Sequence, residues 1–204
     1  MRRLILALLI SLVALWGSQA MAVDFADGGR IGISGGVSKN QDFCAQTGGQ
    51  SMCDDEKFAW KIYGGYQLMK WIAFEGGYVD LGRVDRQGPG GSAGDLSTAE
   101  TQALAVSAVF TAPVLQTAGF YIKVGGAYWE QDRVVATTGF PKVESNEEGG
   151  SFLAGAGFRF PLTDRLGMVL EYERYFDVGT VATGESDIGV ISAGLLWSLG
   201  GDKD

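Results

Sequence analysis

Residues 30–199 read as an all-β chain, an eight-stranded antiparallel up-and-down transmembrane barrel, on three observations. Apolar and small or polar residues alternate with period two in eight successive runs, which is the periodicity of a strand and not of a helix. In each run one face is continuously aromatic or aliphatic, while the other mixes small residues with full charges. The connections between runs alternate long and short. A soluble sheet buries its apolar face and exposes its charges. A membrane barrel does the reverse, with apolar residues in lipid and charges in the lumen.

The clearest stretch is 59–82. Ala59, Lys61, Tyr63, Gly65 and Gln67 share one face of its first run, opposite Trp60, Ile62, Gly64, Tyr66 and Leu68. In its second run Ala73, Glu75, Gly77 and Val79 oppose Ile72, Phe74, Gly76 and Tyr78. Only Met69, Lys70 and Trp71 lie between the runs, so they fold back as a tight hairpin.

The other elements follow in order. The first strand spans 30–38, with Ile31, Ile33, Gly35 and Val37 on the apolar face. A long loop, 39–57, carries both cysteines. The 59–82 hairpin supplies the second and third strands. A second loop, 83–98, contains Gly88, Pro89, Gly90 and Gly91, which is turn chemistry. The fourth strand, 101–112, turns through 113–117 into the fifth, 119–131. The third loop, 132–150, is polar and includes Glu144, Glu147 and Glu148. The sixth strand, 151–162, turns tightly at Thr163, Asp164 and Arg165 into the seventh, 166–176. A fourth loop, 177–186, leads to the last strand, 188–199. Each strand is near the roughly 9–11 residues that a tilted membrane strand requires. Outer-membrane barrels place long loops outside and short turns in the periplasm. Phe58, Trp60, Tyr78, Tyr128 and Tyr172 fall toward the long-loop end, and Tyr66, Phe110, Phe120, Phe158, Phe160 and Trp197 toward the short-turn end. That is the placement of two interfacial girdles.

At the N-terminus, Arg2 and Arg3 precede a 13-residue apolar run, 4–16, and then small residues up to Ala22. This is the layout of a secretory signal peptide cleaved after Ala20 or Ala22, too short for the roughly 20 residues of a membrane-spanning helix. Residues 1–22 are therefore expected to be a cleaved leader and 23–204 the barrel domain. The formal charge of −8 becomes −10 when the two leader arginines are removed. An acidic chain argues against nucleic acid and against a polybasic membrane-binding surface. The 32 glycines follow no collagen period; inside a narrow barrel a missing side chain makes room for a large neighbour. Cys44 and Cys53, separated by eight residues downstream of an export signal, read as a disulfide stabilising by about 2–3 kcal/mol on the chain-entropy model. The alternatives are free thiols or a metal site, and the chain has no histidine to serve a metal.

The segments GGYQ…FEGGYVDLGRV, YIKVGGAYWEQD and LEYERYFDVG resemble the OmpA-like transmembrane domain of Gram-negative outer membranes, and the resemblance runs across nearly the whole mature chain. It implies a closed barrel filled by side chains, a surround of outer-membrane lipid and lipopolysaccharide, and insertion by machinery that reads the last strand. Larger members carry a peptidoglycan-binding domain after the barrel. Here Gly200–Asp204 follow, so no wall tether is expected. Family members usually end the last strand on an aromatic residue; here Leu199 ends it and Trp197 precedes.

The lumen-facing charges are Arg30, Lys61, Glu75, Lys123, Arg159, Glu171 and Glu173. Glu75, Lys123, Arg159 and Glu171 lie at similar distances from their short turns and are expected to form one layer. Two acids and two bases would neutralise one another there. In the family such a cluster seals or gates the lumen. Glu75, Lys123 and Glu171 fall at charged family positions, and Arg159 falls where the family has an acid. The layer is thus a plug or a gate. No catalytic residues, cofactor or metal are expected: barrels that modify lipid A use a histidine base with a serine, and the paired carboxylates point inward. At the loop end Asp80, Glu130 and Arg174 lie on outward parity, and Arg174 is either a ligand for a lipopolysaccharide phosphate or a solvated rim residue. The expected function is a structural, monomeric surface barrel whose loops meet an extracellular partner. The alternatives are a narrow gated channel and a soluble secreted ligand-binding barrel.

Overall fold

The computed structural model describes residues 28–40, 56–87, 95–115, 118–137, 141–179 and 185–199. The leader, Cys44 and Cys53, and residues 200–204 lie outside this set. The described chain forms eight strands, β1 (Gly29–Asn40), β2 (Glu56–Met69), β3 (Ile72–Gln87), β4 (Asp95–Leu115), β5 (Ala118–Thr137), β6 (Val143–Pro161), β7 (Leu166–Val178) and β8 (Ser186–Ser198). They close into one barrel in sequence order. Every neighbouring pair is antiparallel, including β1 with β8, where Arg30 faces Ser198 and Asn40 faces Ile188. Closure leaves no sheet edge within the membrane span.

The short turns are built locally. Met69 pairs with Ile72 across Lys70 and Trp71. The side chain of Gln67 reinforces that turn by donating to the carbonyls of Met69 (2.6 Å) and Ile72 (3.2 Å). At the β6–β7 turn Thr163 Oγ1 accepts from the amides of Arg165 (3.3 Å) and Leu166 (3.0 Å).

At the opposite end the structure departs from the sequence reading. The loops expected at 83–98 and 132–150 are largely strand. β3 runs on to Gln87 and pairs with β4 down to Leu96, and β5 pairs with β6 out to Val135 opposite Val143. β4, β5 and β6 are therefore 21, 20 and 19 residues long, against 12 to 14 for β1, β2, β7 and β8. One side of the wall rises above the other as a ribbon of four strands. Period two hides these extensions, because above the bilayer both faces meet water and neither must be apolar. The ribbon's inner edge is bent by a bulge at Asp80/Gly82. Gly82 sits there at φ +88°, with its amide donating to Asp80 Oδ1 at 2.8 Å, a conformation that glycine adopts without steric cost.

Inside the span, side chains alternate strictly. Phe58, Ile191 and Val106 are 69%, 68% and 67% exposed on the outer face, whereas their neighbours Ala59, Val190 and Ala105 point inward. The exposed apolar residues occur on all eight strands and so encircle the barrel, far beyond the few hundred Å² that a soluble monomer exposes. The lumen is filled by two apolar clusters and a set of charges. Toward the ribbon end, Leu81, Trp129, Leu153, Tyr175, Ile188 and Val190 form an apolar cluster. Toward the short turns, Tyr63, Ala73, Val109, Tyr121, Val169 and Leu196 form another. The charges interleave with this second cluster, Lys123 opposite Val109 and Arg159 opposite Val169. Glycines make this filling possible: a Cβ on Gly157 would lie 2.6 Å from the Tyr121 hydroxyl, and one on Gly149 would lie 2.6 Å from the Trp129 ring.

Candidate functional site in the barrel lumen

Seven charged side chains from six strands meet in the lumen, none more than 6% exposed. Parity puts each of them inside, and the barrel's curvature brings them together. Glu75 on β3 takes Arg159 Nη2 (2.6 Å) and Arg30 Nη2 (3.0 Å) on Oε1, and faces Lys123 Nζ (3.3 Å) with Oε2. Glu171 on β7 pairs with Lys61, lies 2.6 Å from Lys123 Nζ, and accepts from the Tyr121 hydroxyl at 2.7 Å. Glu173, two residues along β7, lies 2.7 Å from Lys61 and 3.0 Å from Lys123. Lys123 thus touches all three carboxylates. Tyr63 and Tyr121 pave the floor: Lys61 Nζ lies 5.1 Å from the Tyr63 ring centroid and Arg159 Cζ 4.4 Å from that of Tyr121. Both are cation–π distances. Gln67 joins from below, accepting from Arg30 Nη1 at 2.8 Å.

The structure therefore brings Glu75 to Lys123 and Arg159, and Glu171 to Lys123. It also draws Arg30, Lys61 and Glu173 into the same network rather than leaving them outside it. The neutral set of four becomes a set of four cations and three carboxylates. Tyr63, Gln67 and Tyr121 were missed as members. The available signal was their parity with Lys61, Glu75 and Lys123, since a buried phenol or amide on a charged face needs a hydrogen-bond partner.

Desolvating each ion costs several kcal/mol, which excellent geometry only about offsets. The network is thus weak as net glue but expensive to disrupt singly. Beside it is a cavity of about 20 Å³, lined by Lys61, Tyr63, Glu75, Ser107, Lys123 and Glu173 among others. That is room for about one water.

At the outer rim Asp80 accepts from Trp60 Nε1 at 3.2 Å, and Glu130 and Asp132 both accept from Asn146 Nδ2 at 2.8 Å. Arg174 is bound by Asp187 Oδ2, with Nη2 at 2.5 Å and Nε at 3.1 Å, and its guanidinium lies 5.1 Å from the Phe176 ring. Its charge thus has a carboxylate partner within the protein.

An eight-stranded barrel with an apolar outer belt and a filled, ion-paired lumen is a membrane-spanning β-barrel of the bacterial outer membrane. The chain belongs to the OmpA-like transmembrane domain family, whose model matches residues 26–203. It is 26% identical over 141 residues to Outer membrane protein A of Salmonella typhi, covering 68% of this chain and 39% of that protein. It is 29% identical over 143 residues to Outer membrane protein A of Klebsiella pneumoniae, covering 68% and 40% respectively. The chain thus matches less than half the length of these relatives. Among solved structures it superposes on Neisserial surface protein A with a TM-score of 0.59 at 16% identity, covering 84% of this chain and 97% of that one. It also superposes on Ail, the attachment invasion locus protein of Yersinia pestis, with a TM-score of 0.52 at 13% identity, covering 84% and 99%. The protein resides in the bacterial outer membrane, with its belt in lipid, and the soluble alternative is set aside.

Proposed function

We propose that this protein is a non-catalytic structural barrel that braces the outer membrane and presents its extended strand ribbon for contact outside the cell. The observation that carries this reading is the filling of the lumen by two apolar clusters and a buried ion-paired network. A filled eight-stranded barrel supports stiffness better than transport. The ribbon formed by β3–β6 supports a contact role, because it stands clear of the lipid belt and carries exposed Glu144 and Glu148. Export after cleavage following Ala20 or Ala22, a Cys44–Cys53 disulfide in the first loop, insertion as a monomer by the barrel-insertion machinery and contact with lipopolysaccharide complete the proposal.

A narrow gated channel is the second reading, favoured by the position of Lys123 between alternative carboxylates. Conductance across planar bilayers separates the two. The structural reading expects no stepwise current from the wild type and none from Glu75→Gln, because the apolar clusters remain. Discrete openings that appear or lengthen in Glu75→Gln would replace the plug with a gate.

A further inference from the structure

Among the described residues the charges in the lumen do not cancel, and the excess is local. Lys61 and Lys123 lie against Glu171 and Glu173, two cations on two carboxylates. Glu75 receives both guanidiniums on a single oxygen, so that corner has one positive charge more than its carboxylate matches. It also has spare donors. Arg30 Nε, Arg30 Nη2 and Arg159 Nε are buried without a hydrogen-bond acceptor, the Arg30 Nη2 approach to Glu75 being close but poorly aligned. Arg30 and Arg159 are 5% and 2% exposed. Buried polar groups are nearly always hydrogen-bonded, and an unmatched charge in a low-dielectric interior favours a counter-ion. Guanidinium N–H groups suit an anion in both charge and geometry.

We propose that Arg30 and Arg159 bind a small monovalent inorganic anion, of chloride size, beside Glu75. Arg30 is the second residue of β1 and pairs with Ser198 near the end of β8, so the site lies toward the short-turn end of the lumen. Larger organic anions do not fit, because Tyr63, Tyr121 and Leu196 fill the lumen at that level. This site is independent of whether the barrel conducts.

Chloride itself is the probe. The folded, full-length mature barrel in detergent is expected to broaden the chlorine-35 resonance, with bromide reversing the effect, while the heat-unfolded sample does not. Equal linewidths for folded and unfolded protein would overturn the site. The unfolding temperature is expected to be several degrees higher in sodium chloride than in sodium gluconate at equal ionic strength. That difference should vanish in Arg30→Gln, which removes the excess charge. An unchanged chloride-minus-gluconate difference in Arg30→Gln would mark a general salt effect and overturn the proposal. Where that variant does not fold, the wild-type linewidth decides.

Discussion

Lys123 has more at stake than any other side chain in the lumen, because it is the ion that all three buried carboxylates share. Replacing it with methionine keeps much of the volume but leaves three carboxylates to three cations arranged around other centres. Breaking a buried pair from one side costs about 3–5 kcal/mol. Lys123→Met is therefore expected to lower the unfolding free energy by about that amount, measured by tryptophan fluorescence in urea with lipid vesicles. Lys39 is the matched control. Its pairing with Glu56 spans 3.5 Å with both side chains more than half exposed, and exposed pairs contribute about 0–1 kcal/mol, so Lys39→Met should move the midpoint little. A large loss from both would show that the lumen network has no special weight. Which residues face inward was legible from parity alone. Which of them touch was not: Lys61 and Glu171 are 110 residues apart on β2 and β7, strands that are not sheet neighbours.

The strands divide into a belt that the barrel needs and extensions that it does not. β6 pairs with β7 only as far as Phe152 opposite Phe176, while its pairing with β5 continues to Val143. Above Phe152 that hairpin belongs to the ribbon. Replacing residues 134–144 with Asn-Gly, a two-residue turn suited to a hairpin, should leave folding intact and change stability by less than about 1 kcal/mol. The folded fraction on a gel without heating reads this directly, and loss of that fraction would make the ribbon part of the folding core. The same trimmed protein tests the contact role, since attachment of cells to a host surface should fall while the barrel persists. The ribbon escaped the sequence reading because a strand wet on both sides shows no apolar alternation. The rim of the lower wall is made differently. Asp187 holds Arg174 and also accepts from the amide of Asp177 at 3.1 Å, where Asp177 adopts φ 53°, a left-handed value to which aspartate is better suited than most residues.

Taken as one body, the protein is an inside-out sheet: its largest apolar surface faces outward and its polar core is enclosed. Closure satisfies the strand hydrogen bonds in lipid, where each unpaired group would cost several kcal/mol. Such a barrel resists detergent until heated. On a denaturing gel of the outer-membrane fraction, the unheated protein should therefore migrate differently from the boiled one. Identical migration, with the protein found in the soluble periplasm, would contradict the membrane assignment. The amino-acid order alone determined the number of strands, their inward and outward faces and the short turns between them, because a period of two and the chemistry of turns are local properties of the chain. Only the closed barrel decided that seven charges form one network with a positive remainder, that apolar clusters pack against it, and that four strands outgrow the membrane. Those outcomes depend on which side chains meet across a curved sheet, and curvature and register arise from pairing the strands, not from any strand by itself.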